Sequence, residues 1–155
     1  MDGLNAHIVF KSLYYQNPIM CFAPLPTGER AMEMRCPLGW ETKINGAGVI
    51  IACCKTQKSE VVIYFEPNKQ IYRSPFYKEH EANKRWIKEI FNLAHLILQK
   101  EAGVGLNFYL DCSTEIPDFG ISEFAAISFG TRFLLDELFK DQNCQYQSHK
   151  QRVYK

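Results

Sequence analysis

Leu106-Asn107-Phe108-Tyr109-Leu110-Asp111-Cys112 is the stretch that decides the fold, read with the turn and helix start behind it, Ile116-Pro117-Asp118-Phe119-Gly120-Ile121-Ser122-Glu123-Phe124-Ala125-Ala126. In the first part Leu106, Phe108, Leu110 and Cys112 alternate with Asn107, Tyr109 and Asp111. A period of two marks a strand buried on one face. Residues 113–120 read as a short loop. From 122 to 139 the apolar spacing turns helical, with Phe124, Ile127, Leu134 and Leu138 on one face. Ser122 is placed to cap this helix, and Glu123 in its first turn complements the helix dipole. A Gly ahead of a helix start, with free N–H groups behind it, is also how backbone cradles a phosphate.

Upstream, Trp86, Ile90, Leu93 and Ile97, with Ile87, Phe91 and Ala94 beside them, predict a long helix over 78–100. Ser74-Pro75 marks its beginning, and Gly103 and Gly105 its end. The first 75 residues read as β-rich. Ile8-Val9-Phe10, Val49-Ile50-Ile51 and Val61-Val62-Ile63-Tyr64-Phe65 are β-branched or aromatic runs. Asn45-Gly46 and Pro67-Asn68 are turn sites between such runs. The order is a β-rich half, a long helix, a strand, a turn and a helix. That is an α+β fold with its helices on one face of a mainly antiparallel sheet. Residues 1–140 form one domain, and 141–155 are a polar tail or a linker to a second domain. The expected core comprises Trp86, Ile90, Leu93, Ile97, Phe108, Leu110, Leu134 and Leu138.

Composition agrees with a folded domain. The chain has 155 residues, 46% hydrophobic and 14% aromatic, which excludes global disorder. Its net charge of +1 gives no global electrostatic reason to seek nucleic acid or anionic lipid. No apolar run is long enough to span a membrane, and the start lacks a basic, apolar leader, so an intracellular protein with reduced cysteines is expected. No CxxC or HxxxH pair supplies zinc-ligand spacing. Cys53-Cys54 follows a strand-like run, so one thiol should fill the core and the other lie on the opposite face. Glu115, Asp118 and Glu123 read as solvated carboxylates. His7, His80, His95 and His149 are scattered, with His95 read as half-buried packing, and no Ser-His-Asp arrangement is defensible. Lys150, Arg152 and Lys155 read as a solvated basic end.

The segment around the turn resembles the phosphate loop of the GHMP small-molecule kinases, Pro-x-Gly-x-Gly-Leu-(Gly/Ser)-Ser-Ser-Ala-Ala. Ile116-Pro117 matches its beginning, Gly120-Ile121-Ser122 the Gly-Leu-Ser step, and Ala125-Ala126 the alanine pair. Ala23-Pro24 and Gly28-Glu29 resemble the family's first motif at shorter spacing, with Arg30 where the family has His. The resemblance implies the ribosomal-protein-S5-domain-2-like fold of the family's N-terminal domain. It also implies a left-handed crossover from 61–65 to 106–112, against the usual hand.

The departures from the family's pattern point away from catalysis. Glu123 and Phe124 stand where the family has small hydroxyl residues, and the loop between Pro117 and Gly120 lacks a Gly. A carboxylate about 4 Å from a phosphate, at an effective dielectric near 20, costs about 4 kcal/mol. That is roughly a thousandfold in affinity. A lost hydroxyl donor removes about 1.5–3 kcal/mol more. The family's catalytic Asp lies beyond the loop, towards a second domain, so no catalytic residue transfers. The remnant loop (Pro117, Gly120, Ile121, Ser122, Glu123, Phe124) and remnant first motif (Pro24, Gly28, Glu29) are therefore expected not to bind ATP, with no cofactor and no metal. The resemblance implies a non-catalytic interaction platform with a protein partner. Among degenerate members it is most similar to a developmental switch of sex determination and dosage compensation, which implies a nuclear setting. The alternatives are a divergent ATP-dependent kinase of a small metabolite, needing a second domain, and an RNA-binding module, since the wider superfamily includes ribosomal and translation-factor domains.

Overall fold

A computed structural model describes residues 3–24, 32–34, 48–74, 84–112 and 121–140. The elements are α1 (Gly3–Tyr14), β1 (Ile19–Pro24), β2 (Met32–Met34), β3 (Gly48–Thr56), β4 (Val61–Phe65), β5 (Gln70–Ser74), α2 (Arg85–Leu98), β6 (Gly105–Cys112) and α3 (Ile121–Leu138). The strands form one sheet in the order β2-β1-β3-β6-β4-β5, with the three-residue β2 at one edge. All pairings are antiparallel except that of β4 with β6. The strand that decides the fold is thus interior: β6 pairs with β3 on one side and β4 on the other.

The alternation of β6 sorts the molecule into layers. Leu106, Phe108, Leu110 and Cys112 join Val49, Ile51, Cys53, Val61 and Ile63 in a core closed by Trp86, Ile87, Ile90, Phe91 and Ala94 of α2 and by Ala126, Ile127, Leu134 and Leu135 of α3. Tyr109, of opposite parity, joins Met20, Phe22, Ile50, Ala52 and Tyr64 on the other face, closed by Ala6 and Phe10 of α1. The expected core residues Trp86, Ile90, Phe108, Leu110 and Leu134 are buried, and Leu93, Ile97 and Leu138 pack partly buried against them. Trp86 sits under Phe65, ring centroids 4.6 Å apart, and edge-on to Tyr72 at 5.6 Å. Such pairs add about 0.5–1.5 kcal/mol to the burial itself.

α3 lies close on the sheet because Gly130 faces it. A Cβ there would come within 2.7 Å of Ile51 Cδ1 and 3.3 Å of Cys21 Sγ. Gly105 opens β6 where the backbone of 58–60 crosses. A Cβ there would overlap the Lys58 and Glu60 carbonyl oxygens, and Leu106 N–H donates to Glu60 O at 3.0 Å.

Two sequence expectations are corrected here. Ile8-Val9-Phe10 is helical, not extended. Gly3, Ala6 and Phe10 are the buried positions, a spacing of three and four, whereas Ile8 is exposed. Burial period overrides the β preference of a short Ile-Val pair. In consequence the helices do not all share one face: α2 and α3 do, and α1 covers the opposite one. The helix expected over 78–100 begins at Arg85 among the described residues, and Asn45-Gly46 and 141–155 lie outside them. Residues 66–69, holding Pro67-Asn68, form the turn between β4 and β5.

Just past α1 comes Tyr15, whose N–H donates to Lys11 O at 2.8 Å and whose φ is 56°. This left-handed capping position is normally given to Gly, and a side chain there costs about 1–2 kcal/mol. Tyr15 is 89% exposed, so little packing offsets that cost. Tyr15→Gly is expected to stabilise the protein by about 1 kcal/mol in urea unfolding. Ile90→Ala, at the fully buried centre of α2, is expected to cost about 2–5 kcal/mol in the same measurement.

Candidate functional site

Of the residues expected to form a remnant phosphate loop, Pro117 and Gly120 lie outside the described residues, as do Gly28 and Glu29 of the expected first motif. Pro24 ends β1, paired with Gly48. Ile121 and Ser122 are the first two residues of α3, so Ser122 lies inside the helix rather than capping it. Glu123 and Phe124 complete the first turn, both half-buried. The anionic first turn expected from the sequence is therefore in place.

What faces that turn comes from another helix. Arg85, the first residue of α2, holds its guanidinium carbon 4.6 Å from the centre of the Phe124 ring. One turn on, Ser128 Oγ donates to Glu89 Oε2 at 2.9 Å. Further on, Leu93, Leu96, Ile97 and Lys100 line a groove with Arg132, Leu135 and Asp136. The partners advance together along both chains, so α2 and α3 run parallel, with their amino ends side by side. Two helix amino termini and a guanidinium make this corner electropositive, and Glu123 places a negative charge in it. The Arg85–Phe124 contact contributes about 0.5–1 kcal/mol at a partly solvated site. A cation so close to the α3 start was invisible to a reading of the turn alone, because it comes from a helix more than thirty residues earlier in the chain.

The carboxylates Glu115 and Asp118 fall outside the described residues. The acidic pair that the fold does assemble is Glu66 and Asp111, at the carboxyl ends of the parallel strands β4 and β6, where Glu66 N–H donates to Leu110 O at 2.9 Å. Tyr64 and Tyr109 stack there at 5.8 Å. Glu66 Oε1 accepts from Lys69 Nζ at 3.0 Å. Glu66 Oε2 and Tyr109 Oη are buried without a hydrogen-bond partner among the described residues. Burial, and next to it the charge on Asp111, pushes the Tyr109 phenol far above its usual range.

His95 is exposed, not half-buried packing. Its Nε2 lies 2.7 Å from Ser74 Oγ, which belongs to a residue only 3% exposed. A hydroxyl–imidazole pair at this distance resembles an activated nucleophile. Here the hydroxyl is shielded, and no carboxylate orients the imidazole among the described residues. The contact ties the edge strand β5 to α2. Cys53 is fully buried and Cys54 half-buried, one on each face as expected. Burial drives the Cys21 and Cys53 thiols far above the ordinary range. Both are therefore inert fillers. Among the described residues no group of three or more His, Cys, Asp or Glu side chains is placed to hold a metal ion. No described helix is long and apolar enough to cross a membrane.

A second concavity, of about 340 Å³, opens where α1 ends over the sheet. Several of its polar groups are engaged within the fold. Asn107 Nδ2 donates to Gln16 Oε1 at 3.0 Å, Gln16 Nε2 to Lys55 O at 2.8 Å, and Arg73 pairs with Glu60 at 3.0 Å. These bonds fasten α1 to the sheet.

No family model matches the chain, and no curated protein is significantly similar to it.

Asp111 supplies a pH test of this geometry. Burial raises its carboxyl pKa, the Cys112 N–H lowers it, and Glu66 raises it again, for a net upward shift. The folded protein then holds this proton to higher pH than the unfolded chain does. Stability falls as pH rises from the unfolded value of about 3.9 through the folded pKa, and stays lower above it. Asp111→Asn is expected to raise the urea midpoint at neutral pH. The gain should vanish below about pH 3, where both states are protonated.

Proposed function

We propose that this protein is a catalytically inactive relative of the GHMP small-molecule kinases that acts as an intracellular, protein-binding regulator. The observation that carries the reading is the first turn of α3. Glu123 and Phe124 stand there in place of small hydroxyl residues, and Phe124 is covered by Arg85. The element order supports the kinship: a parallel β4–β6 pair joined through α2, with α3 following β6. On this reading the finer fold is the ribosomal-protein-S5-domain-2-like one. The role that fits best is a developmental switch in the manner of the nematode sex-determination and dosage-compensation protein. Such a protein works in the nucleus through a protein partner and without a cofactor.

The chemistry follows from the turn. The N–H groups that would hold a phosphate are those of any helix start. A polyanion entering this corner must displace or tolerate the Glu123 charge, and the ring of Phe124 fills space a phosphate would need. Arg85 favours the second reading, a divergent kinase, because a guanidinium matches phosphate geometry. Its guanidinium is engaged by the Phe124 ring face, so phosphate binding would have to break that contact.

Calorimetry with Mg-ATP decides between the two. No heat is expected up to about millimolar ligand, a binding free energy weaker than about 4 kcal/mol. Glu123→Ser with Phe124→Ser is expected to restore measurable affinity, and Arg85→Ala in that background to abolish it again. Micromolar binding by the unaltered chain would overturn the inactive reading and establish the kinase.

A further inference from the structure

The groove between the carboxyl-terminal halves of α2 and α3 has the features of a docking site for a helix. It measures about 490 Å³ and is lined by Leu93, Leu96 and Ile97 of α2 and Leu135 of α3. Leu96 is 64% exposed, and Phe129, on the α3 stripe that continues through Arg132 and Asp136, is 44% exposed. Single exposed apolar residues are ordinary on a protein surface. Here Leu96 stands with Leu93, Ile97 and Leu135 over a channel between two parallel helices, which is the shape a third helix fills. From Leu93 to Lys100 the channel runs about two helical turns, near 10 Å at about 1.5 Å per residue. That length accepts apolar side chains spaced i, i+3 or i+4, and i+7.

Charge decides what kind of helix. Lys100 and Arg132 stand at the walls, and neither makes an ion pair or side-chain hydrogen bond among the described residues. The other charges nearby are committed or outnumbered. Glu89 accepts from Ser128, Lys140 lies 3.9 Å from Glu137, and among the described residues Asp136 is the single carboxylate in the lining. The lining therefore carries a net positive charge around an apolar floor. Two segments of the chain itself are poor occupants. α1 of a second copy would offer its exposed Leu4 and Ile8, but its sequence holds Lys11 and no carboxylate. Residues 141–155 hold Lys150, Arg152 and Lys155 against Asp141 alone.

We propose that the α2–α3 groove binds an amphipathic helix of another protein, one whose apolar stripe is flanked by glutamate or aspartate. The apolar stripe covers Leu93, Leu96 and Ile97, and the flanking carboxylates reach Lys100 and Arg132. This rests on the interaction-platform reading and assigns it a surface at the opposite end of the helix pair from the remnant phosphate turn. The two ends are separable. ATP binding would overturn the inactive-kinase reading while leaving this groove to be judged by its own measurement.

The test uses two fluorescein-labelled synthetic peptides that share one helical Leu stripe. One is flanked by Glu and the other by Lys, and each is titrated with the full chain while anisotropy is read. The Glu peptide is expected to bind in the micromolar range, the Lys peptide at least about tenfold more weakly, with the difference shrinking in high salt. Leu96→Asp, at a position whose exposure protects the fold, and Arg132→Glu are each expected to weaken the Glu peptide by about tenfold or more. Thermal melts of both variants verify that they are folded. Arg132→Glu should also reverse the preference in favour of the Lys peptide, which general loss of structure would not do. The proposal is overturned if neither peptide binds up to millimolar chain, if both bind alike, or if Leu96→Asp has no effect. It is also overturned if sedimentation shows a dimer that Leu96→Asp dissociates, since the occupant is then a second copy.

Discussion

β6 must satisfy two neighbours and two layers at once, and the rest of the structure depends on that constraint. Its backbone is shared between the antiparallel ladder to β3 and the parallel ladder to β4. Its even-numbered side chains Leu106, Phe108, Leu110 and Cys112 carry α2 and α3, while Tyr109 faces the α1 layer. A slip of one residue would turn Asn107, Tyr109 and Asp111 into the two-helix core and move the four apolar side chains into the smaller α1 layer. Gly105 fixes the starting point, because only a residue without a side chain fits against the carbonyls of 58 and 60.

The same strand brings α2 and α3 alongside each other, since α2 leads into it and α3 leads out of it. Their parallel course gives the helix layer two unlike ends. At the amino end, polar and aromatic groups are matched: Arg85 with Phe124, and Ser128 with Glu89. At the carboxyl end, Leu96, Lys100 and Arg132 face solvent without such partners among the described residues. One end has its interactions filled from within the chain and the other leaves them open. That asymmetry distinguishes the two ends of the helix layer physically.

Polar groups buried beside β6 show the cost of this arrangement. Tyr109 Oη and Glu66 Oε2 are held without hydrogen-bond partners among the described residues, near Asp111 at the far end of the β4–β6 pair. Each such group costs about 1–3 kcal/mol relative to a satisfied one. The stacked Tyr64–Tyr109 pair and the surrounding apolar packing hold that end together.

The sequence by itself determined the elements whose burial is periodic over many residues. β6, α2 and α3, together with β3 and β4, were legible because alternation or a spacing of three and four records which face is buried. It also determined the character of the α3 start, since Glu123 and Phe124 lie in its first turn wherever that helix packs. α1 was missed because Ile8-Val9 speaks for a strand locally, while the decisive period of Gly3, Ala6 and Phe10 rests on two small residues with weak apolar signal. Only the tertiary structure decided that α1 covers the second face, that Ser74 meets His95, and that Glu66 faces Asp111. Only it placed Arg85 over Phe124, and Lys100 and Arg132 on one groove. Each of these joins residues far apart in the chain. Such juxtapositions are set by sheet order and helix direction, which no local pattern encodes.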